Sequence, residues 1–203
     1  MCPRGHIKKV PRPGLAESGS GDLSSGEVKR IAVTGPAGAG KSRLARDLGD
    51  TYGIEVLHLD TMFWKPGWVQ TPAAEWEDVQ RRELERDSWI VDAQYDDMIP
   101  DWFDGADAVV FIDASPLRCL WRVSRRRLDG DGGPHVPAGS EPAPVHRALA
   151  NFIRGQWHYR RTVRPELLAD LARRRSRQRV VVLRTGGEGR RFMAHLPYRG
   201  ESF

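Results

Sequence analysis

Eight residues, "GPAGAGKS" from Gly35 to Ser42, set glycines, one lysine and one hydroxyl at the spacing G-x-x-x-x-G-K-[ST]. Glycines let such a loop turn its backbone N–H groups inward around phosphate oxygens. At this spacing Lys41 can reach the β- and γ-phosphates of a nucleotide, and the Ser42 hydroxyl can ligate Mg²⁺. A nucleotide and Mg²⁺ are the expected ligands. The nucleotide-binding residues are Gly35, Pro36, Ala37, Gly38, Ala39, Gly40, Lys41, Ser42 and Arg43.

Three acids, Asp60, Asp92 and Asp113, each follow a short apolar run. If those runs are parallel strands, the acids sit at carboxyl ends, where open α/β sheets bind their ligands. Any one of them alone could be a helix cap or a turn residue, Asp113 above all. Arginine supplies the opposite charge: Arg122, Arg125, Arg126 and Arg127 precede the stretch Asp129–Pro144, and Arg154, Arg160, Arg161 and Arg164 follow it. Phosphoryl transfer depends on positioning and charge neutralisation, and the planar guanidinium grips phosphate oxygens in pairs. A loop with arginines on both shoulders suits a segment that closes over phosphates and excludes water. The plainer reading is a solvated basic helix beside an irregular loop.

The elements that must hold these residues follow from periodicity. Ile31–Val33, "IEVLHL", "WIVD", "AVVFID" and Val180–Leu183 read as strands. The first helix carries Leu44, Ala45, Leu48 and Tyr52 at helical spacing and ends at Gly53. Thr71-Pro72 and Ser115-Pro116 each read as a cap followed by Pro at the first helical position. The Thr71 helix should run to about Arg86. In the Ser115 helix Leu117, Leu120, Trp121 and Leu128 line one face. Residues 145–159 and 165–174 read as two separate helices, and a last helix lies near 188–196. Strands alternating with helices predict a parallel sheet covered on both faces.

The 203 residues fit one domain, with residues 1–27 expected as a disordered leader and 28–203 as the folded unit. No apolar run approaches the ~20 residues that span a bilayer, and no stretch has signal-peptide character. Two cysteines, Cys2 and Cys119, make neither a disulfide framework nor a metal pair. A cytoplasmic protein without a membrane partner is expected. Net charge is +5, and between positions 154 and 179 nine arginines face only Glu166 and Asp170. Such a field attracts phosphates on a nucleotide or on nucleic acid.

Taken together, "GPAGAGKS", "LHLDTMFWKPGW", "WIVDAQY", "VVFIDASP" and "CLWRVSRRR" occur in the order and spacing of adenylate-kinase-like P-loop proteins often labelled DNA topology modulation proteins. The resemblance spans roughly residues 29–196. It implies a nucleoside monophosphate kinase-like P-loop NTPase: three α/β/α layers, a five-stranded parallel sheet, and a mobile lid at about 129–144. It implies that Asp92 helps hold Mg²⁺ through water and that Arg122 and Arg126 contact ATP phosphates. It places the acceptor pocket at Asp60, Phe63, Trp64 and Trp68, with Tyr95, Arg154, Arg160 and Arg161 beside it. Asp60 would take a hydroxyl hydrogen bond or act as base, although Trp64 and Trp68 could equally close a core. Two departures stand out: Asp92-Ala93-Gln94-Tyr95 replaces Asp-Gly-Asn-Tyr, and Arg43 replaces Thr.

The reading is an ATP-dependent phosphotransferase with a nucleoside monophosphate or another small acceptor. A nucleotide-binding regulator of DNA topology, or a polynucleotide 5′-hydroxyl kinase, stands as the alternative. No helix-turn-helix or zinc finger favours nucleic acid.

Overall fold

A computed structural model of the chain describes residues 28–67, 69–94, 99–128 and 145–195. The expected leader, Trp68, Tyr95 and the expected lid at 129–144 lie outside the described residues.

Five strands form the central sheet: β1 (Arg30–Thr34), β2 (Val56–His58), β5 (Trp89–Ala93), β6 (Ala108–Ile112) and β7 (Arg179–Leu183). Their order is β2-β5-β1-β6-β7, and every pair is parallel. The apolar runs explain the layering, because side chains alternate across the sheet and both faces are buried. Ile31, Val33, Ile90 and Val110 face one core with Leu44, Ala45 and Leu48 of helix α1 (Lys41–Tyr52). Phe192 and Met193 of α8 (Gly186–Ala194) pack against that same core. Ala32, Val91, Val109 and Phe111 face the other core. It takes Trp76 and Leu84 from α3 (Ala73–Leu84), Trp102 and Phe103 from α4 (Ile99–Gly105), and Leu167 and Leu171 from α7 (Arg164–Arg174). Trp89 and Trp102 meet edge to face at 5.0 Å in its centre. Every connection between these five strands is therefore a crossover, and the fold is the expected three-layer α/β/α arrangement.

Several local expectations change. The second strand stops at His58, and Leu59–Phe63 form a short helix, α2, so Asp60 stands in a helical first turn rather than on a strand. Lys65-Pro66-Gly67 turns the chain: strands β3 (Trp64–Lys65) and β4 (Val69–Gln70) pair antiparallel, with Gly67 at φ 76°. Thr71 does not cap α3. Its hydroxyl and its N–H both donate to the Phe63 carbonyl, at 2.8 and 3.0 Å, which closes the ribbon and leaves Pro72 as the cap.

Helix α5 (Pro116–Leu128) starts as expected after Ser115, but the side it buries differs. Cys119 is fully buried, whereas Leu117 and Trp121 are 79% and 60% exposed. Nor does the chain break between residues 159 and 165. A π-helical turn, Tyr159–Val163, joins α6 (Val145–His158) to α7. Pro165 has no N–H for the regular helical bond, and the wider turn, with Arg164 N–H donating to the Tyr159 carbonyl, accommodates it.

Candidate active site

The site is built where β1 runs into α1. After Thr34 the chain turns through Gly38 and Gly40, both left-handed at φ 79° and 98°. A side chain at Gly38 would come within 2.8 Å of the Cys119 carbonyl and 2.9 Å of Val123, so this glycine lets α5 press against the loop. A Cβ at Gly40 would lie 3.0 Å from the Arg122 guanidinium.

Three loop carbonyls are held by side chains from three helices. Lys41 Nζ donates to the Pro36 carbonyl at 3.3 Å. Arg122 from α5 donates to the Ala39 carbonyl, and Gln156 from α6 donates to the Ala37 carbonyl at 2.9 Å. Lys41 is itself buried. Burial pushes its ammonium pKa down, opposed by the charges of Asp92 and then Asp60, with Cys119 a lesser influence.

Asp92 is the last residue but one of β5, directly opposite His58 in the β2–β5 register and beside Val33 of β1. Its side chain is only 2% exposed. One carboxylate oxygen, Oδ2, lies 2.8 Å from His58 Nδ1. Burial alone would raise the Asp92 pKa, but the His58 hydrogen bond, the Lys41 charge and the Ser42 hydroxyl hold it below the usual carboxylate range. The other oxygen, Oδ1, is buried with no hydrogen-bond partner among the described residues. A partnerless buried carboxylate oxygen beside a hydroxyl and a phosphate loop suits a hydrated Mg²⁺ ion. That ion takes one or two protein oxygens and completes its shell with water and phosphate. Ser42 and Asp92 would hold it. Among the described residues no cluster of three or more His, Cys, Asp or Glu forms a fuller metal cage.

Asp60 lies close enough to raise the Lys41 pKa, so it belongs to the same cluster, half-buried in the first turn of α2. Asp113 does not join it. Arg164 grips both its oxygens, Nε to Oδ1 at 2.8 Å and Nη2 to Oδ2 at 2.6 Å. This fork also takes Arg164 off the shoulder of the expected lid. Arg126 is exposed but near Lys41, and Arg160 is exposed with its charge reaching Asp113 and Cys119. Arg154 is exposed, and Arg161 stacks at 4.2 Å over the exposed Trp157 ring. Arg43 points to solvent, 3.9 Å from Asp47 one turn on.

Of the aromatics, Phe63 meets Trp76 edge-on at 5.4 Å and packs against the core, while Trp64 stands half-buried against Phe63. The basic run Arg173–Arg179 is separate from all this. It runs into the first residue of β7 and lies at the amino edge of the sheet, where Arg174 pairs with Asp170 and Asp104.

Sequence reasoning passed over His58 and Gln156. His58 carries a signal only once β2 is known to pair with β5. Gln156 carries a weaker one: a lone amide between Phe152 and Tyr159, on the side of α6 that is buried.

No protein-family model matches the sequence, and no curated protein matches it. Solved structures with a similar course of chain include a shikimate kinase from Bacteroides thetaiotaomicron (TM-score 0.46, 13% identity, 83% of this chain and 96% of that one). A sugar kinase from Janibacter sp. HTCC2649 scores 0.42 at 16% identity, over 83% of this chain and 91% of that one. A deoxyadenosine kinase from M. mycoides scores 0.41 at 13% identity, over 81% of this chain and 95% of that one. Likeness at this distance assigns neither activity nor acceptor. The kinase-like P-loop fold rests on the sheet order and on the loop that β1 feeds into α1.

Proposed function

We propose that the protein is a MgATP-dependent phosphotransferase acting on a small acceptor. The observation that carries this is the buried Asp92 carboxylate, ionised beside Lys41 and Ser42, with Oδ1 left without a partner among the described residues. Mg²⁺, once bound, would offset the charge on the β- and γ-phosphates. The chain's residues do the rest. Loop N–H groups and Lys41 hold the phosphates, Arg126 and Arg160 add positive charge around the moving group, and Asp60 faces the acceptor. With a hydroxyl acceptor, its oxygen forms the new bond to the γ-phosphorus as the bond to the β-phosphate oxygen breaks, and its proton passes to Asp60. Phe63 and Trp64 wall the acceptor side. Arg122 contacts the phosphates, and its hydrogen bond to the Ala39 carbonyl lets it act on them through the loop as well.

One observation favours a second reading, a polynucleotide 5′-hydroxyl kinase. Arg125 over Trp121 at 5.4 Å and Arg161 over Trp157 at 4.2 Å present exposed aromatic faces beside positive charge, as single-strand binders do.

The test is ATP consumption with Mg²⁺ across nucleoside monophosphates, nucleosides and 5′-hydroxyl oligonucleotides, with Lys41→Ala as control. Turnover raised by one class, and lost in the control, identifies the acceptor. ATP binding with no stimulation by any acceptor would overturn the kinase reading in favour of a nucleotide-gated regulator.

A further inference from the structure

A phosphate loop works only if its N–H groups face the ligand, so something must hold its carbonyls the other way. In a trans peptide the carbonyl of one residue and the N–H of the next point in opposite directions. Fixing the Ala37 carbonyl therefore fixes the Gly38 N–H, and fixing the Ala39 carbonyl fixes the Gly40 N–H. Glycine at 38 and 40 gives these peptide planes more rotational freedom than any other residue would. Their aim must come from outside the loop.

Arg122 holds the second of these carbonyls and Gln156 the first. Gln156 is 7% exposed, and its bond crosses 119 positions of sequence. Phe152, four residues before it, packs against the cluster of Ala39, Ala114 and Cys119. Tyr159, three residues after it, is buried. On such a face an apolar side chain would pack without the cost of burying an amide.

We propose that Gln156 is a positioning residue for the phosphate loop, whose hydrogen bond to the Ala37 carbonyl turns the Gly38 N–H toward the nucleotide phosphates. The bond also ties the loop to α6, which follows the expected lid, as Arg122 ties it to α5, which precedes it. Nucleotide affinity thus depends on how α6 is seated, without α6 touching the ligand at this point. This inference rests on the nucleotide-binding reading for its purpose, though not for its geometry.

Full-length protein, Gln156→Met, Gln156→Glu and Lys41→Ala would be compared by three measurements. These are thermal unfolding, amide hydrogen exchange of the peptide covering residues 35–42 without nucleotide, and calorimetric titration with MgATP. Methionine keeps the volume and the burial but cannot donate, and glutamate sets a carboxylate against the carbonyl. For both variants the expected result is exchange of the loop peptide faster by about tenfold, with the strand peptides unchanged. ATP affinity should fall by about tenfold, the scale of one hydrogen bond. A Gln156→Met protein with parental loop exchange and parental affinity would overturn the proposal. So would exchange that rises equally in the β1 and β5 peptides, which marks general loosening. If methionine prevents folding, Gln156→Glu decides by the same two readouts. If the parent itself binds no ATP, the nucleotide reading fails, and loop exchange still decides whether Gln156 positions the loop.

Discussion

Asp92 and Asp113 occupy nearly equivalent places, one at the last residue but one of β5 and the other just past β6, on either side of β1. Both carboxyls are held below the usual range, yet by different means. For Asp113 the leading cause is the Arg164 hydrogen bonds, which outweigh the opposing effect of its burial. For Asp92 burial is the larger influence and works against ionisation, so His58, Lys41 and Ser42 together must overcome it. The outcome differs in one atom. Asp113 has both oxygens occupied, and Asp92 keeps Oδ1 without a described partner. Position at the carboxyl edge of a parallel sheet makes an acid available for chemistry, and its partners then decide whether it stays available.

The sharpest way to break this contrast is to remove each charge. Asp92→Asn should lower acceptor-dependent ATP turnover by roughly 10²–10³-fold, the scale of losing a charge-stabilising group at a reacting centre. Steady-state rates across a Mg²⁺ titration would measure it. Turnover within tenfold of the parent would remove Asp92 from the site. Asp113→Asn should act on the fold instead, costing about 2 kcal/mol from a mostly buried, doubly hydrogen-bonded pair. Turnover should hold at temperatures well below its melting point. Lost turnover at an unchanged melting temperature would erase the distinction.

Lowering the pH sharpens the same comparison. A carboxyl whose folded pKa lies below its unfolded value adds stability that is fully present above the unfolded value. That stability is lost as pH falls through the folded one. Asp92 and Asp113 both have this sign. Parental melting temperature should therefore fall steeply below about pH 4, the ordinary aspartate value. Asp113→Asn should flatten part of that acid limb while lowering the plateau near neutrality. Melts between about pH 6 and 2.5 would show it, and a variant curve parallel to the parent's would mean the fork contributes nothing linked to protons.

What the sequence made legible follows the range of each interaction. The loop's glycines, Lys41 and Ser42 act within eight residues, and the five apolar runs fold as strands wherever they pair, so both could be read directly. Partners distant in sequence could not. Thr71 has the sequence of a cap, yet the Phe63 carbonyl eight residues back takes its hydroxyl. Arg164 sits among arginines that suit phosphate, and Asp113, 51 positions earlier, claims it. Gln156 and His58 gain meaning only from Ala37 and Asp92, which the topology brings to them. Helix α5 misled in another way. Its leucines and Trp121 trace an apolar stripe, but the side turned to the loop is the one that carries Cys119, which packs with Ala39 and Ala114 and whose backbone lies against Gly38.

Charge gives the last and smallest contrast. The basic composition suggests one positive surface for residues 154–179, but the fold divides it between the two edges of the sheet. Arg160 stands at the carboxyl edge, where its field reaches Asp113 and Cys119. Arg175 and Arg177 are exposed and lead into the start of β7 at the amino edge, opposite Ala108. Charges separated across the sheet by more than a Debye length of about 8 Å are screened from the site at physiological salt. Arg175→Ala and Arg177→Ala should therefore leave turnover within about twofold of the parent, as surface changes away from a site do. Arg160→Ala should lower it by more than either, and added salt should narrow that gap. Equal losses from all three would mean that the arginines act as one field on a long anionic ligand, which moves the acceptor toward a polynucleotide.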